Sequence, residues 1–348
     1  ATIEGHSTQV VGPHVVAGDA GFAEDSAPLD ALVAVPAADG GWAVAATLVE
    51  ARAKAGKVQG RRTTAELIWP LEPPPGDWDL TLCTTWVEPA YLEPDASWCA
   101  PGGTPASSLA NGGAFGGKSE APPGAAGRQP GSPLGAVARR LADEHGRTVR
   151  AVLAREDVVR WGPKRPPIAA GLRVDGTGVV RVVATSGIAD AIRAAAPGLV
   201  VEEVSVPGPP TSSNIRAAGW AEALVVLAGV MGTVPVVVTA PGGGWASAAV
   251  RGDRIDIIVG AGEVLDEVVL RSYCIGAAHQ ALGWVTSEGI AVDAEGVPHD
   301  LTIRSFGILR ARDMPHVDVT IAPPGTPPPG TDLGPKASLE PVNGSDAV

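Results

Sequence analysis

The amino-acid sequence predicts a mixed α+β fold in which helices interleave with β-hairpins. Apolar residues recur at helical spacing in some segments, whereas β-branched runs flank short turn signals in others. The 348 residues include 45 glycines and 33 prolines, with 45% hydrophobic and 18% charged residues, so the chain can form a core and is rich in loops. Helices and hairpins do not alternate as a strict βαβ series, which favours α+β over a parallel α/β sheet.

The N-terminal half of the sequence predicts two longer helices and two strands. Residues 44–57 carry Ala, Leu and Val at helical spacing, and residues 77–87 have the pattern of a strand. Ser132 is a suitable N-cap, Pro133 suits the first turn, and Gly146 ends a second helix. A strand over 148–154 and a short helix over 155–162 follow.

The C-terminal half predicts hairpins and two further helices. Strands over 168–174 and 178–185 flank Asp175-Gly176-Thr177, which is a hairpin signal. The composition of residues 214–230 predicts a helix. The remaining predicted elements are a strand over 234–240, hairpins that turn at 252–253 and 293–296, and the longest helix over 267–284.

Residues 223–250 contain no charged side chain. A membrane-spanning helix needs about 20 consecutive apolar residues, but Gly229, Gly232, Pro235 and Pro241 interrupt this stretch. We therefore expect a buried helix followed by a buried strand, and no membrane span.

Charge and cysteine content exclude several classes of partner and cofactor. The net charge of −12, without a basic stripe, argues against binding of nucleic acid. The three cysteines show no CxxC pairing, which argues against a disulfide framework and against an iron–sulfur cluster held by this chain alone. Residues 1–21 have no apolar core behind basic residues, so we expect no signal peptide and a cytoplasmic location.

The densest glycine signal is the run Asn111-Gly112-Gly113-Ala114-Phe115-Gly116-Gly117-Lys118. Glycines let the backbone come close to a ligand, and free amides can then point at an anionic or oxo group. A flexible loop is the simpler alternative. The residues also fit the bare GxxxxGK[ST] pattern, but a strand before them and a helix after them are not predicted, so a phosphate-binding P-loop is disfavoured.

The glycine run and the motifs around it resemble one family. Residues 112–118 resemble the GGxFGGK element of the molybdopterin-binding large subunits of xanthine dehydrogenase and aldehyde oxidase relatives. Other segments are similar to elements of that family in the same order, from about residue 86 to residue 341. These segments are 86–94, 141–157, 162–166, 211–219, 266–288, 305–321 and 334–341.

The resemblance implies a molybdopterin-type molybdenum cofactor and hydroxylation of an aldehyde or an N-heterocycle, with water as the oxygen source. In the family the Phe-Gly backbone of the glycine loop approaches the metal. Arg216, at the expected start of a helix, could hold an anion or pair with Glu222. The implied cofactor-binding residues are Gly112, Gly113, Ala114, Phe115, Gly116, Gly117, Arg216 and Gln280.

Glu340 aligns with the catalytic base of the family, which lies in a G-x-K-G-x-G-E-P run and takes a proton from metal-bound hydroxide. This chain has Ala337 and Leu339 in place of the two internal glycines. The resemblance thus implies Glu340 as the base. The substitutions leave open a solvated acid on a Pro-rich tail, and for that reason we expect Glu340 to be exposed and Glu340→Gln to leave turnover by this chain unchanged.

Domain organisation and partners follow from the same comparison of motifs. We expect a small α/β lobe over residues 1–80, a molybdopterin-binding-like lobe over 81–321 and a Pro/Gly-rich tail over 322–348. Family members pass electrons to iron–sulfur and flavin domains, whose motifs are not found here, so iron–sulfur and FAD subunits are the expected partners. The alternative is a non-catalytic paralogue that keeps the fold and pairs with a full-length molybdenum subunit.

Overall fold

The computed structural model describes residues 25–37, 39–56, 66–88, 95–106, 134–215, 217–232, 236–240 and 242–330. Within these ranges the chain forms three four-stranded sheets with helices against them, which confirms the mixed α+β class. The strands are β1 (Leu32–Pro36), β2 (Trp42–Ala45), β3 (Leu80–Cys83), β4 (Asp95–Cys99), β5 (Val149–Leu153), β6 (Ile168–Leu172), β7 (Gly178–Val183), β8 (Leu199–Val204), β9 (Val236–Thr239), β10 (Trp245–Arg251), β11 (Arg254–Gly260) and β12 (His316–Ile321). The helices are α1 (Leu48–Lys54), α2 (Leu134–His145), α3 (Arg155–Trp161), α4 (Ile188–Ala195), α5 (Trp220–Val230) and α6 (Glu267–Thr286).

The first sheet has the strand order β2-β1-β5-β4, in which β1 is antiparallel to β2 and parallel to β5. The sequence of α2 places its apolar residues on one helical face, and that face is buried on the sheet. Ala51 of α1 belongs to the apolar cluster that contains Val33 and Val35 of β1. This sheet pairs β1, which precedes residue 80, with β5, which follows it.

The second sheet has the order β3-β6-β7-β8. The hairpin predicted at Asp175-Gly176-Thr177 is confirmed: β6 and β7 are antiparallel, and Asp175 Oδ1 accepts a hydrogen bond from the amide of Thr177 at 2.9 Å. Helix α4 connects β7 to β8, which run parallel. Leu172 and Ile192 belong to the apolar core between this sheet and the helices α4 and α5.

The third sheet has the order β12-β11-β10-β9. The predicted hairpin turning at Gly252-Asp253 joins β10 to β11, and β12 returns parallel to β11 after α6. Side chains of β10 alternate between buried and exposed, as expected for a strand covered on one face. Gly260 lies against the ring of Trp245, where a Cβ atom would overlap the indole.

Two N-terminal elements are shorter than the sequence predicts. Residues 44–57 do not form one helix, because β2 extends to Ala45 and a capping box starts α1: Thr47 Oγ1 accepts from the amide of Glu50 at 3.2 Å. Within 77–87 only β3 is a strand. Trp86 and Val87 are buried without being part of a strand.

Two C-terminal predictions also need correction. The helix expected over 214–230 begins only at Trp220, because Ala217 and Gly219 adopt φ values of 54° and 80° that end any helix. The hairpin expected at 293–296 forms an isolated bridge between Val292 and Pro298. Helix α4 and strand β8 were not predicted at all.

Within the uncharged stretch 223–250, α5 and β9 are less buried than expected. Glu222 and Ala223 are the buried residues of α5, whereas Val225 is 47% exposed and β9 is only partly covered. None of the helices in the described ranges has the length and apolarity needed to cross a bilayer.

Candidate functional site

Most of the candidate site residues lie outside the described residues. These are Gly112, Gly113, Ala114, Phe115, Gly116, Gly117, Arg216 and Glu340. Gln280 lies in α6 and is half-buried, and its role stays a prediction. Several segments that carry the family-like motifs are described, however, and they contact one another around two consecutive basic residues.

The first of these basic residues, Lys164, is completely buried just after α3. Its Nζ lies 3.3 Å from Oε2 of Glu88 and donates to the carbonyl oxygens of Val158 at 2.8 Å and Gly162 at 2.6 Å. Burial lowers the pKa of Lys164, because removal from water penalises the ammonium, and the Glu88 carboxylate opposes this shift. Lys164 therefore ties the 86–88 segment to the end of α3.

The second basic residue, Arg165, contacts two helices. Its Nε lies 3.2 Å from Oε1 of Glu222 in α5, with 7% and 5% of the two side chains exposed. Its guanidinium carbon lies 4.2 Å from the ring centroid of Trp284 in α6, a cation–π contact. We call Glu88, Lys164, Arg165, Glu222 and Trp284 the buried ionic junction.

The turn 211–219 is fixed to the same place. The amide of Lys164 donates to the carbonyl of Pro210 at 2.7 Å, and the amide of Ser212 donates to the carbonyl of Lys164 at 3.0 Å. Oε2 of Glu222 accepts from the amide of Gly219 at 2.7 Å. Ala217 adopts a φ of 54°, a left-handed value that strains the backbone of a non-glycine residue.

The C-terminal half of α6 is anchored by three contacts. Trp284 stacks on Arg165, and Nε2 of His279 lies 2.8 Å from the carbonyl oxygen of Leu309. The amide of the buried Glu288 donates to the carbonyl of Gly283 at 2.7 Å, and a Cβ atom at Gly283 would overlap the Glu288 carboxylate. His279 thus links α6 to the chain near Leu309.

The junction neutralises two buried bases with two buried acids. Because its four charged side chains are almost completely removed from water, it is suited to fixing backbone segments and not to exchanging protons with a substrate. Sequence reasoning identified the segments but missed the pairing: Glu222, considered there as a partner of Arg216, pairs with Arg165. The signal in the sequence that points to this junction is the pair of consecutive basic residues between Gly162-Pro163 and Pro166-Pro167.

A surface groove of about 500 Å³ lies elsewhere, beside the edge strand β3. Its lining includes Trp69, Leu71, Glu72 and Cys83. Burial and the nearby Glu72 carboxylate both raise the pKa of Cys83, so this thiol is protonated at neutral pH and is a weak nucleophile.

One known domain family matches the C-terminal part of the chain. Residues 246–315 match the family model of the molybdopterin cofactor-binding domain, and this range contains the β10–β11 hairpin and α6. This match agrees with the molybdopterin-binding character that the sequence motifs predict for this part of the chain.

Solved structures of molybdenum hydroxylases are among the similar ones. The Cu,Mo-containing CO dehydrogenase is 12% identical, with a TM-score of 0.21, and the likeness covers 44% of this chain and 30% of that one. Reconstituted CO dehydrogenase from Oligotropha carboxidovorans is 9% identical, with the same coverage and TM-score. Quinoline 2-oxidoreductase from Pseudomonas putida 86 is 17% identical, with a TM-score of 0.20 and coverage of 47% and 32%. No curated protein sequence matches the chain.

Proposed function

We propose that the chain is a molybdopterin-binding subunit of a molybdenum hydroxylase-type oxidoreductase complex. The observation that carries this proposal is the match of residues 246–315 to a molybdopterin cofactor-binding domain. Contacts in the buried ionic junction support it, because Glu88, Lys164 and Arg165 meet Trp284 of α6 there, and each of these residues lies in a segment similar to a family element.

Of the expected cofactor-binding residues, Gln280 is the one that the structure describes. At the N-terminus of α5 the Glu222 carboxylate already accepts from the amide of Gly219 at 2.7 Å, so we do not assign that helix start to the cofactor. Gln280 offers an amide that both donates and accepts. The residues that would hold the cofactor are Gly112, Gly113, Ala114, Phe115, Gly116, Gly117, Arg216 and Gln280. When bound, the molybdenum cofactor supplies oxygen transfer to an electron-poor carbon and takes up the electrons.

The finer parts of the proposal concern substrate, base and partners. We propose an aldehyde or an N-heterocycle as substrate, Glu340 as the candidate general base, and iron–sulfur and FAD subunits as electron acceptors in the cytoplasm. A partner chain is supported by apolar side chains of α6 that water reaches, among them Val268, Tyr273 and Val285 at 77%, 61% and 73% exposure.

The alternative is a non-catalytic paralogue that binds a full-length molybdenum subunit. The observation that favours it is the altered base motif, since Ala337 and Leu339 replace the glycines beside Glu340. In that case the chain would retain the fold and the apolar surface of α6 but lose turnover of its own.

Metal and pterin analysis separates these two functions. The chain is purified alone and with its native partners, molybdenum is measured by mass spectrometry, and pterin is measured by fluorescence after oxidative release. We expect both in the complex, and their loss in Gly116→Val. The control Gly229→Val lies on the exposed side of α5, where an added Cβ meets nothing within 4 Å, so it retains both. Equal cofactor content in Gly116→Val would contradict the assignment of the glycine loop.

Measurements on Glu340 then distinguish the subunit from the paralogue. A large loss of turnover in Glu340→Gln, within a complex that still contains molybdenum and pterin, would establish this residue as the base. Unchanged turnover in that variant would favour the non-catalytic paralogue, with catalysis residing in a partner chain.

A further inference from the structure

The second and third sheets have the same connectivity. In each sheet an outer strand is antiparallel to the first strand of a hairpin, and a helix then connects the hairpin to a parallel fourth strand. The second sheet has β3, the hairpin β6–β7, helix α4 and strand β8, and the third has β9, the hairpin β10–β11, helix α6 and strand β12. The faces of the two sheets can therefore be compared strand by strand.

In the second sheet, the face that contacts the connecting helix is covered across all four strands. On β6 this face carries Ile168, Ala170 and Leu172, which are 2%, 1% and 0% exposed. They belong to one core with residues of two helices, α4 and α5. Helix α5 begins beside α4, since a Cβ atom at Gly219 would overlap Ile188. Strands about 4.8 Å apart make a four-stranded face wider than one helix of about 10 Å, so two helices are needed to cover it.

In the third sheet, the face that contacts the connecting helix can be identified on β12 and β11. Helix α6 packs against β12, where Val317 and Val319 are half-buried and their neighbours His316 and Thr320 are exposed. Ile255 of β11 pairs with Val317 and is 6% exposed. The face that bears Val317, Val319 and Ile255 is therefore the α6 face, and β11 and β12 are covered on it.

On β10 the α6 face is open. Val250 pairs with Ile255 and so shares its face, yet Val250 is 67% exposed. Ala246 and Ala248 lie on the same face by the alternation of the strand, and they are exposed as well. The residues of β6 that face α4 and α5 are, in contrast, completely buried. Together with the half-buried residues of β9 that pair beside them, they form a surface that we call the open strip: Val236, Val238, Ala246, Ala248 and Val250.

The open strip has the shape and chemistry of a surface that binds a helix. Its side chains are all apolar, and the two alanines leave space for larger side chains of an occupant. It is continuous with the surface on which α6 packs, so an occupant would contact α6 as well. In the second sheet this place is taken by α5, whose residues 223–230 carry no charge. The strip therefore fits an apolar helix.

The sequence favours another polypeptide as the source of this helix. The longer segments outside the described ranges are 1–24, 107–133 and 331–348. In these segments every stretch of eight residues contains glycine or proline, and both residue types are unfavourable inside a helix. An uninterrupted apolar helix is thus not expected from them.

We propose that the open strip binds an apolar helix of a partner subunit, which lies beside α6 as α5 lies beside α4. The proposal rests on the comparison of the two sheets and goes beyond the cofactor. A native complex without molybdenum and pterin would refute the proposed function and leave this binding surface in place.

Chemical labelling of the full-length chain, alone and in its native complex, tests the proposal. Ala248→Cys is combined with Cys83→Ser and Cys274→Ser, which remove the two partly accessible thiols. We expect a maleimide to react at position 248 roughly tenfold more slowly in the complex than in the isolated chain. Thr320→Cys in the same background is the matched control, because this exposed residue lies on the other face of the sheet and should react equally in both. Equal rates at position 248 would overturn the proposal.

A benzophenone maleimide at position 248 identifies the occupant. After irradiation of the complex, mass spectrometry should locate the cross-link in an apolar, helix-forming segment of a partner subunit. A cross-link to another part of the same chain, or to a second copy that carries an isotope label, would refute the assignment to a partner.

Ala248→Asp tests whether the open strip contributes to assembly. Association measured by sedimentation should weaken by on the order of a hundredfold, because an unpaired carboxylate would be buried in the contact. Thr320→Asp should assemble like the wild type. The isolated Ala248→Asp chain should keep its wild-type circular dichroism, since position 248 is exposed. Unchanged assembly, or unfolding of the isolated variant, would contradict the proposal.

Discussion

In most proteins charged side chains are exposed and apolar side chains are buried, and the buried ionic junction and helix α6 each depart from this rule. In the junction, charged groups of Lys164, Arg165 and Glu222 lie inside the protein. Along α6, apolar side chains such as Val268 and Val285 lie outside it. Ala278 and Gly283 are the buried residues of this helix, whereas all apolar residues on one face of α2 are buried.

The difference shows that, in these two regions, the burial of a side chain depends more on whether it has a partner to contact than on its hydropathy. Each charge in the junction finds an opposite charge or backbone carbonyl groups within hydrogen-bond distance. The residues of α6 from 272 to 286 include no Asp, Glu, Lys or Arg. We therefore expect another protein surface to cover α6, and the following predictions test the two regions against each other.

The largest effect is expected from Lys164→Met. Removing one partner of a buried pair leaves Glu88 uncompensated, which costs about 3–5 kcal/mol of the free energy of unfolding. The double variant Lys164→Met/Glu88→Leu should recover much of this loss, because both charges are then absent. Urea unfolding measures both values. As a control, Arg140→Met removes an exposed pair with Glu144 and should cost less than about 1 kcal/mol. An equal cost in the two single variants would contradict the prediction that the buried ion pair costs more to break than the exposed one.

The pH dependence of stability should report the same buried ammonium. The pKa of Lys164 is lowered in the folded chain by burial, so the unfolded chain binds the proton more tightly. Between the lowered value and the ordinary lysine range, the free energy of unfolding therefore rises with pH, and this contribution is lost as pH falls through the folded value. Unfolding midpoints of wild type and Lys164→Met across that window provide the check: parallel curves would contradict the prediction.

Ala217→Gly should stabilise the turn beside the junction by a smaller amount. An alanine with left-handed backbone costs about 1–2 kcal/mol, and the extra freedom of glycine in the unfolded chain offsets about half of this gain. We expect a net increase in the free energy of unfolding on the order of 0.5–1 kcal/mol. Ala221→Gly in α5 is the matched substitution at a helical position and should destabilise by about 1 kcal/mol. Loss of stability in both variants would show that the turn at 217 is not strained.

The smallest effect on the isolated chain is expected from Val268→Ser in α6. An exposed substitution changes the free energy of unfolding by no more than about 0.5 kcal/mol. The same exchange at the buried Val137 of α2 should cost more than about 2 kcal/mol. In the complex, Val268→Ser should weaken association, measured by sedimentation. Equal losses at positions 268 and 137 in the isolated chain would show that α6 is already covered.

Local signals in the sequence predicted much of the secondary structure. The turn residues Asp175-Gly176 and Gly252-Asp253 identify two hairpins, because their backbone preferences act within a few residues. The apolar spacing of α2 and the length of α6 predicted those helices. Helix α4 has no such signal, since it is eight residues long and its N-cap residue, Gly187, has no side chain to cap it.

The pairings in the buried ionic junction could not be predicted, because they join residues that are far apart in the sequence. Arg165 and Glu222 lie 57 residues apart, and their pairing is fixed only when α5 packs on the second sheet. The order of the family-like motifs predicted a molybdopterin-binding chain, and residues 246–315 match the model of a molybdopterin cofactor-binding domain. The roles of Arg216, Gln280 and Glu340 remain predictions.

The parallel pairing of β1 with β5 has a consequence for synthesis of the protein on the ribosome. Leu32 of β1 pairs with Val149 of β5. The two central strands of the first sheet therefore emerge from the ribosome at widely separated times. At common translation rates the hairpin of β1 and β2 waits on the order of ten seconds for β5. During that interval the apolar strand Leu32–Pro36 has an unpaired edge. Nascent chains of this protein should therefore recruit chaperones until about residue 153 has left the exit tunnel.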